Sequence, residues 1–225
     1  MIFKMHKKVE KSKGFSIPEL IIVIAIFAII SVIAMFDQGR LSSNVLLTNM
    51  SYEVALAVRE AQVYGLGVRT TGATDGSEFL GEYGVHIDIN NPREVYLFGN
   101  NYAISDNPGF DPGEELFQYT FENQRGNLIT AICVGDINTA NGERCTNDVN
   151  NKYMVTHTDI VFKRPNPAPK IFTNTGAGTT QTVGKVYIVL NNVDQSSCRT
   201  VIVEGTGQIR VEDGNKTNPV CTNAN

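Results

Sequence analysis

Seventeen consecutive residues, Leu20 to Phe36 (LIIVIAIFAIISVIAMF), carry no charge. At about 1.5 Å per residue, a helix of that length covers roughly 26 Å, slightly less than a hydrocarbon core of roughly 30 Å. Extending it back to Phe15 gives 22 residues and about 33 Å, enough to span. Pro18 is tolerated there, because its missing N–H has no intrahelical partner in a first turn. Residues 1–14 carry Lys4, Lys7, Lys8, Lys11 and Lys13 against Glu10, a net +4, and residues 15–225 carry −8. A basic stretch before the span predicts a cytoplasmic N-terminus. The apolar run is longer than the core of a secretory signal peptide and ends in Met35-Phe36-Asp37-Gln38 without a small-residue cleavage site. A basic head on an acidic body fits a membrane-oriented chain and argues against a general nucleic-acid binder. With 42% hydrophobic residues, the remaining length is enough for a real core and excludes global disorder.

Glu19 stands out against this background. A carboxylate in a membrane helix costs up to about 2.5–3.5 kcal/mol on insertion scales and calls for a named partner. Two readings of the residue follow from its position. It caps its own helix at the headgroup level, or it serves a function within the membrane.

The run Lys13-Gly14-Phe15-Ser16-Ile17-Pro18-Glu19-Leu20-Ile21-Ile22 resembles the signal of type IV prepilins and type II secretion pseudopilins. The resemblance implies cleavage between Gly14 and Phe15 by a prepilin peptidase on the cytoplasmic side, followed by N-methylation of Phe15. It implies that Glu19, the fifth residue of the mature chain, pairs with the N-terminal amine of a neighbouring subunit during assembly. A cationic partner would offset the desolvation of the carboxylate. Pro18 departs from the family, which more often has an aliphatic residue there.

Beyond Phe36 the pattern becomes amphipathic. Leu41, Val45, Leu46, Met50, Val54, Ala57, Val58, Ala61 and Tyr64 recur at three- and four-residue steps, and Gly65 and Gly67 read as stop signals. One helix is expected from about Pro18 to about Tyr64, roughly 70 Å long. Gly39 is a weak point within it. Residues 65–81 read as a loop. Nine β-type runs follow: Tyr83–Ile89, Glu94–Phe98, Leu116–Phe121, Leu128–Val134, Tyr153–Lys163, Lys170–Thr173, Lys185–Leu190, Arg199–Glu204 and Gln208–Val211. Asn90-Asn91-Pro92, Pro165-Asn166-Pro167 and Asp194-Gln195-Ser196 separate some of them as turns. The expected fold class is α+β, a long N-terminal helix packed on a C-terminal antiparallel β-sheet domain. Its parts are a leader (1–14), a helix (15–64, transmembrane over about 15–36), a loop (65–81) and a β domain (82–225). The order of the strands resembles H-type minor pseudopilins and T-type minor pilins, from the early Tyr83-Gly84-Val85 strand to the last three runs.

Cys133, Cys145, Cys198 and Cys221 all fall in the β domain, an even count that fits two disulfides in an oxidising compartment. Three connectivities are open, and the favoured one, Cys133–Cys145 with Cys198–Cys221, closes two local loops. Zinc ligation would need closer cysteine or histidine spacing. Asp136, Asn138 and Asn141 resemble part of a calcium loop, but Ala140 occupies the third ligand position of an EF-hand, so a solvated turn is preferred and no metal is assigned. His6, His86 and His157 have no patterned acid or nucleophile beside them, and the latter two read as structural histidines in strands. The chain has no nucleophile elbow, phosphate loop or dinucleotide fingerprint, so neither an enzyme nor a cofactor is expected.

The leading expectation is therefore a structural filament subunit, a minor pseudopilin or pilin. The resemblance implies other pilin subunits, the prepilin peptidase, an inner-membrane assembly platform and membrane lipid as its partners. It would sit in the cytoplasmic membrane as a single-pass protein, β domain outward, before entering a pilus or pseudopilus. Two other readings are a DNA-capturing minor pilin and a plain anchored adhesive domain. For the first, Lys163, Arg164, Lys170, Lys185, Arg199 and Arg210 outnumber Asp194 and Glu204 over residues 163–210, but the acidic mature chain weighs against nucleic acid as a partner.

Overall fold

The computed structural model describes residues 14–67, 81–100, 109–122, 126–135, 144–146, 155–175, 179–193 and 195–214, with the backbone alone at 34–41, 175 and 179–183. The chain divides into two compact units, residues 1–42 and 43–225. A single helix, α1 (Ile17–Leu66), is followed by strands β1 (Glu82–Asp88), β2 (Glu94–Asn100), β3 (Glu115–Thr120), β4 (Leu128–Gly135), β5 (Arg144–Cys145), β6 (Val155–Lys163), β7 (Asn166–Thr175), β8 (Thr179–Val183), β9 (Lys185–Asn191), β10 (Cys198–Glu204) and β11 (Ile209–Gly214). The α+β class expected from the periodicity is the class observed. The helix continues through Gly39 without interruption.

The strands form two antiparallel sheets. The first has the order β3-β2-β1-β6-β7-β8 and the second β11-β10-β9-β4-β5. Alternation along each strand turns one face inward. Val85, Ile87, Val95, Leu97, Ile160, Phe162 and Ile171 line the inner face of the first sheet, and Ile132, Val134, Val186, Ile188, Leu190, Val201 and Val203 that of the second. Both meet Leu47, Met50, Val54, Ala57, Val58 and Ala61 of α1 in a single core. Their three- and four-residue spacing places these helix residues on one stripe, which explains why the amphipathic half of α1 belongs to the second unit.

Each of the nine β-type runs corresponds to a strand, with ends shifted by a few residues. Two strands have no counterpart among them. β5 is two residues long, and β8 (TTQTV) is polar without apolar alternation. The Pro165-Asn166-Pro167 turn is also corrected. The chain turns at Arg164 and Pro165, and Asn166 already pairs with Lys163 at the start of β7.

The C-terminal end of α1 is tied to both sheets by one side chain. The buried Gln62 amide donates to the Pro167 carbonyl of β7 and to the Gly207 carbonyl of the β10–β11 turn, 3.1 Å in each case. Arg59 in turn donates to its oxygen. Gly207 has φ +89°, and a Cβ on it would lie 2.5 Å from the Pro167 carbonyl, so only glycine lets these two backbones approach. Gln62→Leu would orphan both carbonyls at the sheet junction. We expect a loss of about 1–3 kcal/mol in stability, read from the urea midpoint of the full chain in detergent.

Candidate functional site

The site indicated by the sequence begins at the start of α1. The Glu19 and Leu20 amides donate to the Ser16 carbonyl at 3.1 and 3.2 Å, making Ser16 the residue that caps the helix. The Ser16 hydroxyl lies 3.5 Å from Glu19 Oε2. This spacing is that of a capping box, with the carboxylate in the first turn, where the helix dipole favours negative charge. Glu19 thus stands in the first turn beside the Ser16 hydroxyl. Its carboxylate and the Phe15 ring, which is 79% exposed, remain available at the surface.

Every residue from Gly14 to Ile33 is exposed. Ser31, a polar residue within the apolar run, donates back to the Phe27 carbonyl at 2.8 Å, so its hydroxyl needs no outside partner. Among the described residues no helix is long and apolar enough to cross a membrane; the described side chains of this apolar run stop at Ile33. In the second unit, α1 carries a further exposed apolar stripe. Val45, Tyr52, Leu56 and Val63, spaced by seven, four and seven residues, are each more than half exposed. They lie opposite the buried stripe of Met50, Val54 and Ala61.

In the β domain, the Cys133 and Cys145 sulfurs are 1.98 Å apart, and the two residues pair directly across β4 and β5. Cys198 is also disulfide-bonded, and Cys221 lies outside the described residues. The calcium-loop residues Asp136, Asn138 and Asn141, the leader and His6 lie outside them too. No group of three potential metal ligands occurs among the described residues.

His86 has an acid partner that its sequence neighbourhood did not reveal. Asp159 faces it across β1 and β6, with Nδ1 and Oδ1 2.6 Å apart. The Phe110 ring stacks on the imidazole at 4.3 Å between centroids, and the Phe110 amide donates to Asp159 Oδ2. His157 lies 5.4 Å from His86, ring to ring. On the same face, the hydrogen bond from Tyr96 to Glu94, together with burial and neighbouring carboxylates, pushes the Tyr96 phenol up to about 12. Among the described residues the arrangement brings together no nucleophile hydrogen-bonded to the His86–Asp159 pair. It is a hydrogen-bonded aromatic cover on the outer face of the first sheet.

The run of cations over residues 163–210 is largely neutralised. Lys163 pairs with Glu82, Lys185 with Glu204, Arg199 with Asp213, and Arg210 with Glu204 and Glu212. The hydrogen bond from Arg210 holds the Glu204 carboxyl below its ordinary value of 4.5. Its contribution to stability is thus complete above 4.5 and lost as the pH falls through the lowered native value. Glu204→Gln should flatten the acid side of the stability profile, checked by urea midpoints between roughly pH 3 and pH 7.

Residues 10–35 match the family described as the prokaryotic N-terminal methylation motif, a type IV prepilin-like signal that covers the start of the chain. The motif implies a pilin-like, membrane-anchored structural precursor that a prepilin peptidase processes and that assembles with other pilin subunits. No curated protein and no solved structure matches the chain.

Proposed function

We propose that this protein is a minor pseudopilin or pilin, most like the H-type, in a type II secretion pseudopilus or a type IV pilus-like filament that supports protein secretion. The observation that carries the reading is the methylation motif at residues 10–35, set where Phe15 and Glu19 are exposed at the start of an apolar helix. The peptidase cuts between Gly14 and Phe15 and the Phe15 amine is methylated. Residues 15–36 hold the subunit in the cytoplasmic membrane, with the leader inside and the β domain outside. The assembly platform then draws the helix into a bundle of pilin helices. In that bundle Glu19 meets the methylated amine of a neighbour, and the stripe of Val45, Tyr52, Leu56 and Val63 extends the apolar contact. The apolar surface stays out of water in both lipid and bundle, so transfer between them is close to balanced. In the oxidising space outside, Cys198 and Cys221 pair to pin the C-terminal tail.

Cross-linking tests the assembly step. Cysteines placed at Val45 and Leu56 in the native filament should join this chain to neighbouring pilin subunits. Cross-links absent when the filament is assembled, yet present in cells lacking the platform, would contradict the reading.

A further inference from the structure

We propose that β3, an edge strand of the first sheet among the described residues, is a docking site for an extended basic and apolar segment of a partner protein, which adds to the sheet as a seventh strand. Outside α1, the exposed large apolar side chains among the described residues are Leu116, Phe117 and Val193, and the first two are adjacent on this strand. Five of the six β3 residues are exposed. Edge strands are usually protected by lysine, proline or inward-turned charge. β3 contains no lysine or proline, and its protection is the exposed charge of Glu115 and a register irregularity opposite Leu97 and Phe98.

The edge is also fixed in place before any partner arrives. Phe117 packs edge-on against Tyr119 at 4.7 Å, and the Tyr119 hydroxyl donates to Glu60 of α1. Burial, followed by that hydrogen bond and the carboxylate's charge, raises the Tyr119 phenol above its ordinary range. A preformed strand loses little conformational freedom on binding.

Charge identifies the occupant. Glu115 and Glu122 are exposed carboxylates beside this edge, and residues 109–122 carry no lysine or arginine; Glu114 is buried and accepts the Asp111 amide, and Glu94 of β2 accepts from the Tyr96 hydroxyl. Arg93 lies at the Phe121 end, where its carbonyl accepts the Phe121 amide. A second copy would set these carboxylates against one another on an already acidic body. A strand that alternates lysine or arginine with apolar residues would satisfy the open backbone groups, cover Phe117 and neutralise Glu115 and Glu122. The other sheet contrasts with this. Its edge strand β11 carries Arg210, Glu212 and Asp213, all in ion pairs within the chain. This interface is independent of assembly through the helix.

The test uses the full chain in detergent and two fluorescent peptides of about eight residues, a usual strand length, one alternating valine with lysine and the other valine with glutamate. The lysine peptide should bind at least about tenfold more tightly, a difference of about 1.4 kcal/mol, and should slow hydrogen exchange over residues 115–120. Phe117→Lys should weaken that binding about tenfold or more. The charge reversal Glu115→Lys with Glu122→Lys should transfer the preference to the glutamate peptide. Equal affinity for the two peptides, protection elsewhere, or protection of β3 in the unliganded chain through self-association would each overturn the proposal.

Discussion

Gly65→Val should destabilise the β domain by about 3 kcal/mol or more, the upper part of the range for overpacked cores. A Cβ at this position would lie 2.6 Å from the Phe162 Cβ and 2.7 Å from its carbonyl oxygen. Both atoms belong to the backbone or to the base of a fully buried side chain, so neither can swing aside. The helix cannot withdraw either, because Val58 and Ala61 are locked in the core just before it. The expected result is a large drop in the urea midpoint with an unchanged slope, followed by the near-ultraviolet signal of the tyrosines. Val63→Ala, at an exposed position on the same turn, should stay within about 0.5 kcal/mol of the parent. A midpoint for Gly65→Val equal to that of the parent would refute the close approach of helix and strand.

Glu19→Ala should leave membrane insertion intact and reduce entry into the filament by at least about tenfold, the equivalent of losing about 1.4 kcal/mol. Insertion should not suffer, since removing a carboxylate relieves a cost of up to about 2.5–3.5 kcal/mol in the membrane. Assembly should fail because the neighbour's methylated amine loses its counter-charge. Because Glu19 also sits beside the Ser16 hydroxyl at the helix start, alanine alone cannot separate the two roles. Glu19→Gln does so, because glutamine preserves a capping box and removes only the charge. Membrane fractionation and quantification of sheared filaments provide both readouts. A Gln variant that assembles at the parental level would assign the residue to helix capping and remove its role in assembly.

The parts of the fold legible in the sequence are those that depend on local pattern. Three- and four-residue apolar spacing located α1 to within a few residues, and alternation located β10 and β11. Which strands share a sheet was not legible, because pairing is set by contacts distant in sequence. β4 pairs with β9 across more than fifty residues, and β1 pairs with β6 across about seventy. β5 escaped notice because two residues have no period, and its position is fixed by Cys145 opposite Cys133. Gly65, read together with Gly67 as the helix stop, is the next-to-last residue of α1. Its second role, giving Phe162 room, involves a residue almost a hundred positions away.

The same division runs through the site. The N-terminal segment is contiguous, so the order of glycine, aromatic residue and carboxylate could be read directly. The Asp159 partner of His86 could not, since the two are brought opposite each other only when β1 and β6 pair. The sum of charges over residues 163–210 was misleading for a related reason. It counted cations but not the carboxylates of Glu82, Glu212 and Asp213 that folding brings to them.

Intact mass measurement with N-terminal peptide sequencing, on protein taken from its native membrane, tests the central claim most directly. The account predicts a chain that begins at Phe15 and carries one methyl group on its amine. A chain that retains residues 1–14 in cells with an active prepilin peptidase would contradict it and leave an uncleaved membrane anchor in its place.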